Sequence, residues 1–193
     1  AGWLPLRPWH RTAIRRAGCA ALAVLASVAG AQVYAARTGF RAATACNQIV
    51  LGSPLSRGIC LTFDDGPDPR YTPEVLRILR RAGVRATFFM VGEKVDANPR
   101  LAAEVAADGH EIGNHSYTHR NLSNVRGYPL LLEVEWTQEA IRKACDREPV
   151  LFRPPRGLGN PSLYDLLKDK GLTLALFSLS SHDWMQPAAG GIV

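Results

Sequence analysis

Three stretches of this sequence gather residues that can hold a cation, move a proton or fix a charge. Asp64-Asp65 follows the apolar run Ile59-Cys60-Leu61-Thr62-Phe63. Adjacent carboxylates repel each other, so a nearby cation is their natural compensation. Taken alone, Asp64-Asp65-Gly66-Pro67 reads as readily as a solvated turn. His115-Ser116-Tyr117-Thr118-His119 sets two imidazoles at i and i+4. On one helical turn they would point the same way and share a metal; the same spacing also describes a surface pair. Arg153-Pro154-Pro155-Arg156-Gly157 leaves an apolar run through two prolines. Prolines fix φ, which pre-positions Arg153, and a fixed guanidinium orients a carboxylate bidentately. An ordinary proline-rich turn has the same composition. Further on, Asp183-Trp184 offers an acid and an aromatic wall for a sugar ring, although Trp184 would serve equally as core. His110 and His182 have no partner at such spacing and read as satisfied polar side chains.

The elements that must position these groups alternate. Apolar, β-branched and aromatic runs predict strands over 59–63, 86–91, 111–113, 150–152 and 172–179. Between them, helical periodicity predicts helices over 72–82, capped by Thr72 with Pro73 next, over 101–107, 129–144 and 162–170. On the third of these, Leu131, Leu132, Val134, Trp136, Ala140 and Ile141 form the expected apolar set. Strand-helix alternation implies parallel strands with helices outside. Each chemical candidate falls just after a strand, where parallel sheets bind ligands. A site drawn from four successive strand ends, with no Gly-rich phosphate fingerprint, suits a β/α barrel better than a doubly wound sheet.

Charge and composition narrow the class. Hydrophobic residues make up 47% and charged residues 21% of 193, which excludes a disordered tail, a collagen-like repeat and a polytopic membrane protein. The formal net charge is +6, but residues 1–57 hold seven arginines and no Asp, Glu or Lys. Removing those seven from 23 basic residues leaves 16 against 17 acidic ones, so the remainder has no charge-based claim on nucleic acid. Residues 1–36 read as a signal peptide or N-terminal membrane anchor. A 20-residue uncharged, alanine-rich stretch follows Arg7, Arg11, Arg15 and Arg16, and Ala29-Gly30-Ala31 offers a cleavage site. Either way the domain is expected to be exported to the cell envelope, anchored or secreted. Residues 37–57 read as a linker and 58–193 as the domain. Export permits a disulfide, and the sequence leaves open whether Cys60 and Cys145 pair.

In this order and after successive strands, Thr62-Phe63-Asp64-Asp65-Gly66-Pro67, His115-Ser116-Tyr117-Thr118-His119, Arg153-Pro154-Pro155-Arg156-Gly157 and Asp183-Trp184 resemble the polysaccharide deacetylases, carbohydrate esterase family 4 or the NodB homology domain. The resemblance covers about residues 58–193. It implies a distorted (β/α) barrel; with the leader read above, the expected fold is an incomplete barrel of this type preceded by an N-terminal hydrophobic helix. It further implies that Asp65, His115 and His119 hold a divalent metal, zinc first, with cobalt, nickel or manganese accepting the same ligands. Asp64 would be the general base, oriented by Arg153. Pro155, Arg156, Gly157, Asp183 and Trp184 would line the substrate groove, with a backbone N–H near Arg156 helping to hold the oxyanion. The implied activity is removal of acetyl groups from N-acetylglucosamine polymers, peptidoglycan first and chitin oligomers second. An O-acetyl xylan esterase with the same site and a non-catalytic sugar-binding module are the alternatives. The implied partners are a polysaccharide and, through an uncleaved leader, the membrane.

Two departures from the family pattern stand out. Position 156 is usually aromatic there and is Arg here. The family's final Leu-x-His, which supplies the general acid, is not reached, since Gly190-Gly191-Ile192-Val193 resembles only the start of its strand. The expectation is that the native chain continues into that element. The 136 residues after position 57 are also fewer than the roughly 250 of a typical closed barrel.

Overall fold

The computed structural model describes residues 59–181 together with the backbone of Gln48–Ile49. The leader, Asp183-Trp184, His182 and 190–193 lie outside the described residues, as does most of the segment read as linker. The strands are β1 (Gln48–Ile49), β2 (Thr62–Gly66), β3 (Thr87–Met90), β4 (Glu111–Asn114), β5 (Leu151–Phe152) and β6 (Thr173–Ala175). The helices are α1 (Thr72–Ala82), α2 (Gly92–Ala97), α3 (Pro99–Ala107), α4 (Gly127–Cys145) and α5 (Pro161–Asp169). The strands form one six-stranded sheet in the order β1-β6-β5-β4-β3-β2, with every pair parallel. From β2 to β6 each strand lies beside its successor, so every crossover steps the same way. That is the barrel pattern, and a doubly wound sheet would reverse at a switch point. The α/β fold with a parallel sheet is therefore as expected.

Burial holds this arrangement together. Phe88 and Met90 of β3 face Leu76 and Leu79 of α1, Val95 of α2, Val105 of α3, Ile112 of β4 and Ile141 of α4. Leu130 and Val134 of α4 join Phe152 of β5, Leu163 and Leu167 of α5 and Leu174 of β6 in a second cluster. Each such side chain contributes about 1.5–3 kcal/mol on burial. The intervening residues of β3 and β4 point the opposite way, because successive side chains alternate across a strand. That second face, with Phe89 and Gly113, is the one that supports the site.

The structure corrects several sequence-based boundaries. The sheet begins inside the expected linker, where Gln48–Ile49 pairs with Leu174 and Ala175. A two-residue strand is too short for alternation to show. The first predicted strand is shifted to Thr62–Gly66, so the two acids lie within a strand. Thr72 does not cap α1; Tyr71 stands at the cap, and the Thr72 hydroxyl accepts from Asp68 N–H at 2.9 Å. Asp68 Oδ1 in turn accepts from Arg70 N–H and Tyr71 N–H. Helix α2 was not predicted, since a six-residue helix with one buried valine has almost no periodicity. On α4 the buried face is Leu130, Glu133, Val134, Thr137, Ala140 and Ile141, and Trp136 is exposed. Among the described residues no helix is long and apolar enough to cross a membrane.

Candidate metal centre

Asp64 and Asp65 are presented by an irregularity in β2. Phe63 pairs with Phe88 and Gly66 with Met90, so the partner strand spends one residue fewer over the same distance. A bulge of this kind bends the strand and re-aims its side chains. Asp65 itself takes φ 66, a left-handed conformation that costs a non-glycine residue energy. Lys94 Nζ donates to the Asp65 carbonyl at 2.7 Å and holds it there.

The histidines arrive from β4. His115 N–H continues the ladder to Met90 O at 2.9 Å, and its buried ring projects toward β2. The chain then turns through Ser116 (φ 65) and His119 (φ 56). No helical turn forms, so the expected i, i+4 geometry is wrong in mechanism. The two rings nevertheless converge, with centroids 5.1 Å apart. His115 Nε2 lies 3.2 Å and His119 Nε2 2.9 Å from Asp65 Oδ1. One ligand atom from each of Asp65, His115 and His119 falls within 4.8 Å of the others.

The chemistry of this set fits a divalent cation. His115 Nδ1 stands 2.6 Å from the Arg153 carbonyl, which only accepts, so Nδ1 carries the proton. Nε2 then faces the Asp65 carboxylate: with a proton it donates to that oxygen, and a divalent cation in the site would take the proton's place on its lone pair. The His115 and His119 contacts hold the Asp65 carboxyl far below the usual carboxylate range, which keeps it ionised. The Arg153 carbonyl fixes the His115 tautomer, as a partner behind a metal-binding imidazole commonly does. Two nitrogens and one oxygen suit zinc, and also cobalt, nickel or manganese.

Arg153 is buried at the end of β5, and its donors are spent on several strands. Nη1 donates to Asp64 Oδ1 at 2.6 Å and to Thr62 Oγ1 at 2.9 Å. Nε reaches Ala175 O and Nη2 reaches Leu176 O, each at 3.0 Å. The expected bidentate grip on a carboxylate is thus a single bond, because the fork is also tying β2 to the end of β6. The guanidinium lies 3.9 Å over the Phe89 ring. Burial lowers its pKa, and Asp64 partly offsets this. The Pro155–Gly157 segment is a short 3₁₀ turn in which exposed Arg156 has φ 60.

Sequence reasoning missed Thr62, Phe89, Asn114 and Lys94. Thr62 sits two residues before Asp64 on the same strand face, a period-two signal that was available. Phe89 pairs with Gly113, where an added Cβ would lie 2.4 Å from the ring. A glycine inside a strand signals that kind of close approach. Asn114 bonds Val134 O and Gln138 Oε1 through Nδ2 and accepts from Ser116 N–H, which roots the histidine loop on α4. His110 is only half satisfied: Nδ1 accepts from Ala86 N–H, Nε2 has no partner, and burial lowers its pKa. Cys60 and Cys145 are both free, and burial pushes the Cys145 thiol up to about 11.

The family model for polysaccharide deacetylase matches residues 52–175, most of the described chain. The chain belongs to the polysaccharide deacetylase family. Among curated members of this family, a peptidoglycan-N-acetylglucosamine deacetylase of Bacillus cereus is 42% identical over 137 residues, covering 70% of this chain and 64% of that protein. A chitooligosaccharide deacetylase of Bradyrhizobium sp. (strain ANU 289) is 37% identical over 139 residues, covering 72% and 64%. This polysaccharide deacetylase chain thus spans 64% of the length of either relative. The crystal structure of a CE4 family pseudoenzyme from Bacillus anthracis superposes with a TM-score of 0.72 at 28% identity, covering 75% of this chain and 52% of that one.

Proposed function

We propose that the protein hydrolyses acetamide groups on an N-acetylglucosamine-containing polysaccharide and releases acetate, with peptidoglycan the first substrate and chitin oligomers the second. The observation that carries this reading is the convergence of Asp65, His115 and His119 beside an Asp64 anchored by Arg153. The two curated relatives described above are named for these two substrates. Asp65, His115 and His119 would hold the divalent ion, which when bound acidifies water and polarises the acetamide carbonyl. Asp64 takes the proton from the attacking water. Arg153 keeps Asp64 aimed, since its Nη1 bond to Oδ1 leaves the second carboxylate oxygen facing the metal site, 3.9 Å from His115 Nε2. In the proline turn, Gly157 N–H and Leu158 N–H are bonded to Pro154 O and Pro155 O, which leaves Arg156 N–H for the oxyanion. Pro155, Arg156, Gly157, Asp183 and Trp184 then border the sugar. The positive leader would deliver the domain outside the cell.

The likeness to a pseudoenzyme supports a second reading, a module that holds the polysaccharide without turning it over. One assay separates them. Acetate release is measured from peptidoglycan, N-acetylglucosamine oligomers and acetylated xylan, before and after chelation and zinc re-addition. Chelator-sensitive release from the first two supports the deacetylase. Preference for xylan supports the esterase, and retention of the polymer without acetate supports the module.

A further inference from the structure

The loop between the two histidines has an unusual hydrogen-bond account. It has no secondary structure of its own, yet each backbone group from Ser116 N to Thr118 N has a partner from outside it. Ser116 N–H donates to Asn114 Oδ1. The carbonyls of Ser116 and Tyr117 accept from Gly92 N–H at 3.0 Å and Glu93 N–H at 3.1 Å, at the start of α2. Tyr117 N–H and Thr118 N–H both donate to Glu133 Oε2 at 2.9 Å. The Thr118 hydroxyl donates to Glu133 Oε1 at 2.7 Å, and Arg120 Nε stands 3.2 Å from the same oxygen. Glu133 is 5% exposed and lies on the buried face of α4 between Leu130 and Val134. A carboxylate in that position is costly unless its oxygens are engaged, and both oxygens of Glu133 are engaged by this loop.

The approach is close on the opposite side too. A Cβ on Gly92 would lie 2.3 Å from the Tyr117 ring and 2.8 Å from Thr137 Oγ1. The loop is therefore gripped between the amides of α2, which bind its carbonyls, and Glu133, which binds its amides. Of the two left-handed residues, Ser116 opens the gripped segment and His119 directly follows it. A loop with two such residues relaxes unless its surroundings over-determine it.

We infer that Glu133 is a positioning residue for the metal centre: by accepting the amides of Tyr117 and Thr118, it fixes the distance between His115 and His119 without touching either ring. The inference rests on the reading of Asp65, His115 and His119 as metal ligands. A charged residue on the apolar face of a predicted amphipathic helix was the signal for it in the sequence.

The test is zinc affinity by competition with a chromophoric chelator, together with the cobalt absorption spectrum and the thermal midpoint of the metal-free protein. Glu133→Leu fills the space and loses every acceptor; it is expected to weaken zinc about 10–100-fold and to alter the cobalt bands. Glu133→Gln keeps one oxygen for the two amides and is expected to stay within about threefold of the parent, with its bands unchanged. A merely structural Glu133 would lower the midpoint in Glu133→Leu and leave zinc affinity and the cobalt bands unmoved, which would overturn the inference. If Glu133→Leu does not fold, Thr118→Val removes the hydroxyl's bond to Glu133, together with the exposed one it accepts from Arg120 Nε at 3.2 Å, and keeps both amide bonds. It is expected to weaken zinc about fivefold, and unchanged affinity there would equally overturn the inference. A parent protein that binds no zinc would instead overturn the metal-centre reading.

Discussion

The two halves of the site are held by opposite strategies. On the Asp64 side one buried side chain does the holding: the Arg153 guanidinium reaches Thr62, Asp64, Ala175 and Leu176, so β2 and the end of β6 share one anchor. On the histidine side several partners share one loop, each bonding a backbone group of 116–118, with Glu133 taking two of them. The first arrangement concentrates stability in a single residue that also faces the chemistry. The second distributes it, and only the geometry of His115 and His119 depends on the whole. Damage to the first half should therefore cost stability and turnover together. Damage to the second should cost metal affinity while the fold survives.

The largest expected effect is on turnover. Asp64→Ala removes the proposed base and should lower acetate release about 10²–10⁴-fold, with a loss of stability beside it because buried Arg153 loses its carboxylate partner. A variant that retains most of its activity would remove Asp64 from the reaction. Next comes stability. Arg153→Ala strips donors from the buried Ala175 carbonyl and the part-buried Leu176 carbonyl and leaves Asp64 without its counter-charge, an expected loss of about 2–4 kcal/mol in urea unfolding of the metal-free protein. His119→Ala, on a partly exposed loop, should cost less than about 1 kcal/mol in the same measurement. Equal losses would erase the contrast between the halves. A smaller effect is expected from Gly113→Ala, whose Cβ collides with Phe89 beneath Arg153. Overpacking there should cost about 1–3 kcal/mol and slow acetate release, with zinc affinity nearly unchanged.

The same contrast explains what could be read before the structure. Asp64, Asp65 and Arg153 stand at the ends of apolar runs, and their types alone mark them. Strand-helix alternation gave the parallel sheet for the same reason, because periodicity is a local property. The histidine loop is not local. Its shape comes from Glu133, Asn114 and the amides of α2, the last of these 24 residues before the carbonyls they bond, so the i, i+4 spacing reads as a helical turn that does not form. The bulge in β2 was equally invisible, since it is a mismatch of register with β3 and belongs to neither strand by itself. Arg153 was placed correctly at a strand end, but its single bond to Asp64 could not be foreseen without the carbonyls of Ala175 and Leu176 that take its other donors.

The most direct measurement is zinc stoichiometry after equilibrium dialysis of the parent protein, Asp64→Ala and Asp65→Ala. The expected result is one zinc per chain in the parent and in Asp64→Ala, and none in Asp65→Ala. Zinc lost from Asp64→Ala but kept by Asp65→Ala would show that the roles of the two acids are reversed, and a parent protein that takes up no zinc would contradict the metal centre itself.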